Sequence, residues 1–168
     1  MTSSVLWARL DNFYVWNILF VTFGFGMIGF VDDYKKVMNQ SSNGLSTKIR
    51  LSVGFLIALI ATVITMMVHS ENLAGFIAFP VFKGALFDLG WYFIPFSMLV
   101  IVGSANAVNL TDGLDGLAVM PVMIAGGALG IISYAVGRVD FSEYLDVHYV
   151  AGTGEILVIV SALIGGGL

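Results

Sequence analysis

The chain has 168 residues, of which 58% are hydrophobic and only 11% charged, and seven Lys and Arg against eleven Asp and Glu leave a formal charge of −4. A soluble domain typically carries about 25% charged residues, so the composition excludes an ordinary water-soluble globule and a disordered tail, and the lack of a basic surface excludes a nucleic-acid binder. No cysteine is present, which removes a disulfide framework, a thiolate metal site and a cysteine nucleophile and leaves an integral membrane protein.

Residues 1–11 read as the tail of an earlier helix or a short interfacial lead, with no pattern of a cleavable signal peptide. A helix needs about 20 apolar residues, and no fewer than roughly 17, to cross the hydrocarbon core. Four uncharged windows reach this length, 12–31, 51–68, 89–108 and 117–137, and a fifth apolar stretch runs over 156–168. They are rich in Gly, Ala, Phe and Leu and do not alternate, so they predict helices and not barrel strands. The expectation is an all-α, polytopic transmembrane helix bundle of about five spans in a single domain, 1–168.

Gly24, Gly26 and Gly29 in the first span, and Gly126, Gly127 and Gly130 in the fourth, predict close helix packing. Phe23-Gly24-Phe25-Gly26 is no dinucleotide fingerprint, because no strand precedes it and no acidic residue follows at the right distance. Tyr14, Trp16, Trp91 and Tyr92 lie where an interfacial aromatic belt would put them. If the four windows span, connections 32–50 and 109–116 share one side, and 69–88 and 138–155 the other. Lys35, Lys36, Lys48 and Arg50 lie in 32–50, against Lys83 and Arg138, with Arg9 of the lead, on the opposite side. The positive-inside rule then makes 32–50 and 109–116 cytoplasmic loops.

Asp32 and Asp33 directly follow the first window. Carboxylates at a helix C-terminus oppose its dipole, so helix stability alone would not select them. Neighbours on a helix point about 100° apart, which predicts different roles for the two acids, and Lys36 is in reach of both. A plainer account is a solvated helix end in which Lys35 and Lys36 pair with the acids. The second cluster runs Asn106-Ala107-Val108-Asn109-Leu110-Thr111-Asp112-Gly113-Leu114-Asp115-Gly116-Leu117. Asn109, Asp112 and Asp115 recur every third residue and, on a helix, would share one oxygen-rich face. Two carboxylates and a carboxamide suit Mg²⁺, which commonly shares its coordination with substrate phosphates. The spacing is not that of an EF-hand, and a turn built from turn-forming residues remains the simpler alternative. Ionisable groups at the membrane border mark a cavity or substrate path. Both clusters on one side therefore predict one acidic, Mg²⁺-binding site; its four acids equal the whole acidic excess of the chain.

At these two segments, Phe30-Val31-Asp32-Asp33-Tyr34-Lys35-Lys36 and Asn106 to Ala118, the sequence resembles the polyprenyl-phosphate N-acetylhexosamine-1-phosphate transferases. Asn-Leu-Thr-Asp-Gly-Leu-Asp-Gly, Asp-Asp-Tyr-Lys-Lys-Val and the downstream Tyr149-Val150-Ala151-Gly152-Thr153-Gly154-Glu155 are most similar to the branch with a UDP-MurNAc-pentapeptide donor. The resemblance implies a ten-helix fold in the bacterial inner (cytoplasmic) membrane, with the active site on the cytoplasmic face. It implies transfer of phospho-MurNAc-pentapeptide to undecaprenyl phosphate with release of UMP, the first membrane step of peptidoglycan synthesis, with Mg²⁺ as cofactor. Carried over by position, Asp32 and Asp33 are the catalytic pair, Lys36 neutralises phosphate charge, and Asn109, Asp112 and Asp115 bind substrate. Asp33, Asp112 and Asp115 are the metal ligands on this reading. Family members are about twice as long and have a third acidic motif and a His-rich loop. Neither His69 nor His148, both in connections on the opposite side, can stand in for that loop, so an inactive central fragment is expected. A sister enzyme with a UDP-GlcNAc donor, a cation transporter component and a non-catalytic scaffold are the alternatives, and a homo-oligomer stays open.

Overall fold

Asn12 opens the first long helix. Its Oδ1 accepts the N–H of Tyr14 at 2.9 Å, which satisfies one of the donors that every helix start leaves without an intrahelical partner. From there α2 (Phe13–Asn39) runs without a break until Gln40 takes a left-handed conformation, φ 44°. The computed structural model describes residues 2–40, 44–68, 74–78, 86–111 and 117–167. A short α1 (Thr2–Trp7) precedes α2. It is followed by α3 (Thr47–Val68), strands β1 (Phe76–Ala78) and β2 (Leu86–Asp88), α4 (Phe93–Thr111), α5 (Val119–Val136), α6 (Val139–Leu145) and α7 (Ile156–Gly167).

The chain is an all-α membrane bundle with one small addition. Helix α2, helix α3, the segment Gly90–Thr111 that contains α4, and α5 are long and apolar enough to cross a membrane. The fifth stretch forms the 12-residue α7, entered through a 3-10 turn at Thr153–Glu155. Side chains such as Leu99, Ile124 and Leu129 are largely exposed, as lipid-facing positions must be. The addition is the antiparallel pair β1–β2, with Phe76 opposite Asp88, in the connection between α3 and α4; three-residue strands leave no alternation to read in the sequence.

A correction concerns 32–50, expected as a cytoplasmic loop. It is mostly helix, because α2 continues to Asn39 and α3 starts at Thr47. Lys36 lies three and four residues beyond the two acids and pairs with both, so the charges are compatible with continued helix. Asp32 and Asp33 therefore sit inside α2, not at its end. In 109–116, Asn109 to Thr111 belong to α4, and 112–116 lie outside the described residues.

Helix α3 packs between α2 and α4, and α5 packs on α7. Of the fourth-span glycines Gly130 makes close contact, where a Cβ would lie 3.1 Å from Leu157 and 3.2 Å from Val160, while Gly126 and Gly127 meet Val160 and Ile164 at an ordinary 3.6 Å. In the first span only Gly24 does so, against Ile57, while nothing approaches the Cβ positions of Gly26 and Gly29. Inside the bundle, Asn17 Nδ2 on α2 donates to the Ala61 carbonyl at 3.0 Å and to Thr65 Oγ1 at 2.8 Å on α3. A buried cluster of Ala8, Val15, Leu19 and Ile159 joins the starts of α2 and α7. Antiparallel packing thus places the end of α2, the start of α3 and the end of α4 together at one end of the bundle.

Candidate functional site

At that end a cavity of about 480 Å³ opens between α2, α3, α4 and α5. Asp32, Asp33 and Lys36 line it from α2, Asn106 and Asn109 from α4, and Arg50 from α3. Four of the six residues predicted from the two motifs therefore meet in one cavity. Asp112 and Asp115 lie outside the described residues. Among the described residues no three His, Asp or Glu side chains cluster as a metal site would.

The neighbouring acids have opposite surroundings, as their angular separation on a helix predicts. Asp32 is only 9% exposed. Its Oδ2 meets Lys36 Nζ at 2.6 Å, and its Oδ1 accepts the backbone N–H of Leu45 at 2.6 Å. Both oxygens of this buried carboxylate are occupied, which is what a charge in low dielectric requires. The Asp33 side chain is 76% exposed and, among the described residues, pairs with Lys36 Nζ alone, at 3.3 Å, which leaves its carboxylate open. Lys36 bridges the two carboxylates.

Gly44 completes the arrangement. A Cβ there would run into the Asp32 carboxylate and approach Lys36 Cε to 2.9 Å, so only glycine lets the backbone at position 44 come this close to the pair. Asn106 Nδ2 donates to the Val102 carbonyl at 2.8 Å, which fixes the side chain on the cavity wall. Asn109 lies in the last turn of α4.

Arg50, in the sequence no more than a marker of chain orientation, lines the cavity. Its Nε is buried without a hydrogen-bond partner among the described residues. A signal was present: Arg50 falls in the first turns of α3, where a cation opposes the helix dipole. Gly44 had no such signal, because its constraint comes from a contact twelve residues away.

The Tyr149–Glu155 segment does not reach the cavity. It lies at the opposite end of the bundle, where the Gly152 carbonyl accepts from Asn12 Nδ2 at 2.7 Å and Thr153 Oγ1 donates to the Ser133 carbonyl at 3.0 Å. Glu155 Oε2 accepts the Arg9 backbone N–H at 3.2 Å. These contacts tie the entry of α7 to the start of α2 and the end of α5. His148 belongs to this far end, and His69 lies outside the described residues.

The structure is a bundle of membrane-length helices with paired acids and cations lining a cavity at one end, and comparison with known sequences supplies its class. The model of glycosyl transferase family 4 matches residues 15–168, and the chain belongs to that family. Curated relatives bear the name phospho-N-acetylmuramoyl-pentapeptide-transferase. One from Ruegeria sp. (strain TM1040) is 63% identical over 99% of this chain and 46% of its own length. One from Dinoroseobacter shibae is 64% identical with the same coverages, and one from Ruegeria pomeroyi is 59% identical over all of this chain and 47% of its own. The chain thus spans about half the length of these relatives. The resemblance read from residues 30–36 and 106–118 leads to this same group.

Proposed function

We propose that the polypeptide containing this chain transfers phospho-MurNAc-pentapeptide from UDP-MurNAc-pentapeptide to undecaprenyl phosphate at the cytoplasmic face of a bacterial inner membrane, releasing UMP. The observation that carries the reading is the single cavity that gathers Asp32, Asp33, Lys36 and Asn109 from two separate motifs. The 59–64% identity to relatives named for that phosphosugar transfer supports the choice of substrate.

An oxygen of the lipid phosphate attacks the sugar-bearing phosphorus of the diphosphate. A new P–O bond forms as the bond to the bridging oxygen breaks, and that electron pair leaves with UMP. Such a transfer is mainly a matter of positioning and charge neutralisation. A phosphate monoester is largely ionised near neutral pH, so removal of a proton contributes little. The cavity lies at the end of a membrane bundle, where a lipid headgroup and a soluble nucleotide can meet.

The residues fit Mg²⁺. This ion commonly takes one or two carboxylates together with substrate phosphates, and Asp33 presents an open carboxylate. On this reading Asp33 would hold the ion together with Asp112 and Asp115. When bound, Mg²⁺ supplies positive charge to the diphosphate oxygens. Asp32 has its oxygens committed and holds Lys36 and the Gly44–Leu45 segment in place. Asn109 offers a carboxamide to the nucleotide side.

The test is UMP release by membranes containing the complete gene product, with and without Mg²⁺. Mg²⁺-dependent release with UDP-MurNAc-pentapeptide, nearly abolished in Asp33→Asn and Asp115→Asn, is expected. Unchanged turnover in both variants would sink the site assignment, and a preference for UDP-GlcNAc would transfer it to the sister reaction.

A further inference from the structure

The acids create a difficulty for any phosphate substrate: an anion entering this cavity meets the open carboxylate of Asp33 beside the buried one of Asp32. Lys36 is the cation expected to neutralise the phosphate, but its ammonium group is already shared between those two carboxylates, at 2.6 and 3.3 Å. The cavity holds a second cation. Arg50 enters it from α3, and among the described residues its guanidinium makes no ion pair or hydrogen bond, while its Nε is closed off from solvent. Its charge reaches Asp32 without a direct contact. A buried polar nitrogen with no partner is costly, and a cation in the opening turns of a helix opposes the dipole. Neither packing nor helix stability therefore explains an arginine at this position.

The geometry points to Arg50 as a binding residue for a substrate phosphate in this cavity, taking the role that the motif alone would give to Lys36. A guanidinium presents a planar fork of N–H donors that matches two phosphate oxygens at once, and its charge offsets the repulsion from the acids. The inference rests on the phosphate-transfer reading above. Two substrates could bring the phosphate, the nucleotide diphosphate and the lipid phosphate, and one experiment separates them.

Arg50→Gln and Arg50→Lys are prepared in the complete gene product. Inhibition by UDP and by uridine and the KM for undecaprenyl phosphate are measured, with thermal stability in parallel. If the diphosphate is the ligand, Arg50→Gln weakens UDP by about 10- to 100-fold, the scale of a lost charge-assisted hydrogen-bond pair, while uridine is unaffected. If the lipid phosphate is the ligand, its KM rises by a similar factor and UDP is unchanged. Arg50→Lys falls between wild type and Arg50→Gln, because a point charge keeps the attraction and loses the fork; it carries the test alone if Arg50→Gln fails to accumulate. UDP and lipid constants that stay at wild-type values in Arg50→Lys and in any Arg50→Gln obtained overturn the proposal. So does a loss of UDP and uridine affinity in equal proportion alongside reduced thermal stability, which marks a structural arginine. A wild-type enzyme indifferent to UDP and to the lipid phosphate would instead overturn the transfer reading, and this proposal with it.

Discussion

Leu45 donates its backbone N–H to Asp32 Oδ1 at 2.6 Å, across thirteen positions of chain. That bond holds Leu45, ahead of α3, against the buried carboxylate of Asp32, and Gly44 makes the approach feasible by having no Cβ to strike Asp32 and Lys36. Gly44→Ala is therefore expected to push residues 44–45 outward and to shift Asp32 and Lys36 together. A displacement of about 1 Å in a positioning group can lower turnover by roughly 100-fold. UMP release by Gly44→Ala should fall on that scale while membrane insertion is retained; full activity would show that Gly44 and Leu45 do not position the pair.

The contrast between the two acids predicts a split in their variants. Asp33 is open and makes one long contact among the described residues, so Asp33→Asn should leave thermal stability within about 0.5 kcal/mol of wild type, as surface substitutions do, and nearly abolish UMP release. Asp32 is buried and holds Lys36 and Leu45, so Asp32→Asn should lower thermal stability as well as activity. Parallel melting curves and turnover assays on both variants check the split. Equal loss of stability in both would contradict the assigned surroundings.

Much of this was legible in the sequence, for physical reasons. Charges are so rare in the apolar windows that each apolar run gives away a helix, and the acids at the border stand out against a background that should contain none. What the hydropathy windows could not supply is where the helices end. They locate the loss of apolar character at Val31, whereas the hydrogen-bond ladder of α2 persists to Asn39, because Lys36 neutralises the acids in place. Arg50 was hidden among basic residues that served as topology markers, and its lack of a partner among the described residues appears only when α2, α3 and α4 are assembled. Gly44 was one of 20 glycines, and only its contact with Asp32 distinguishes it. Asn106 stood inside the second motif but off the three-residue spacing that drew attention to Asn109.

Within the membrane-length part of the bundle, Asn17 joins α2 to α3 through Ala61 and Thr65. Interhelical hydrogen bonds in membranes average about 0.6 kcal/mol and reach roughly 1.7 kcal/mol. Asn17→Leu should destabilise the bundle by about that amount, read as a lower thermal midpoint in detergent. It lies far along α2 from the acids, so activity per folded molecule should be unchanged. A loss of turnover at full stability would imply that α2 and α3 must move relative to each other during the reaction.

At the end of the bundle away from the acids, Gly137 follows α5 directly and faces the turn that begins α7. A Cβ on Gly137 would sit 2.5 Å from the Gly154 backbone nitrogen and 2.9 Å from Thr153 Oγ1. Flexible side chains can swing away from such a clash, but backbone cannot, so Gly137→Ala must separate α5 from the Thr153–Glu155 turn. That separation stretches the Thr153 to Ser133 bond and works against the neighbouring Gly152 to Asn12 bond. Overpacking of this kind typically costs about 1–3 kcal/mol. Gly137→Ala should lower the thermal midpoint and the amount of folded protein recovered from membranes, while UMP release per folded molecule stays at the wild-type value. Gly130→Ala provides the comparison: the groups nearest its Cβ position are the side chains of Leu157 and Val160, which can readjust, so its loss should be smaller. If Gly130→Ala proved the more damaging, the α5–α7 face and not the turn would be the rigid element.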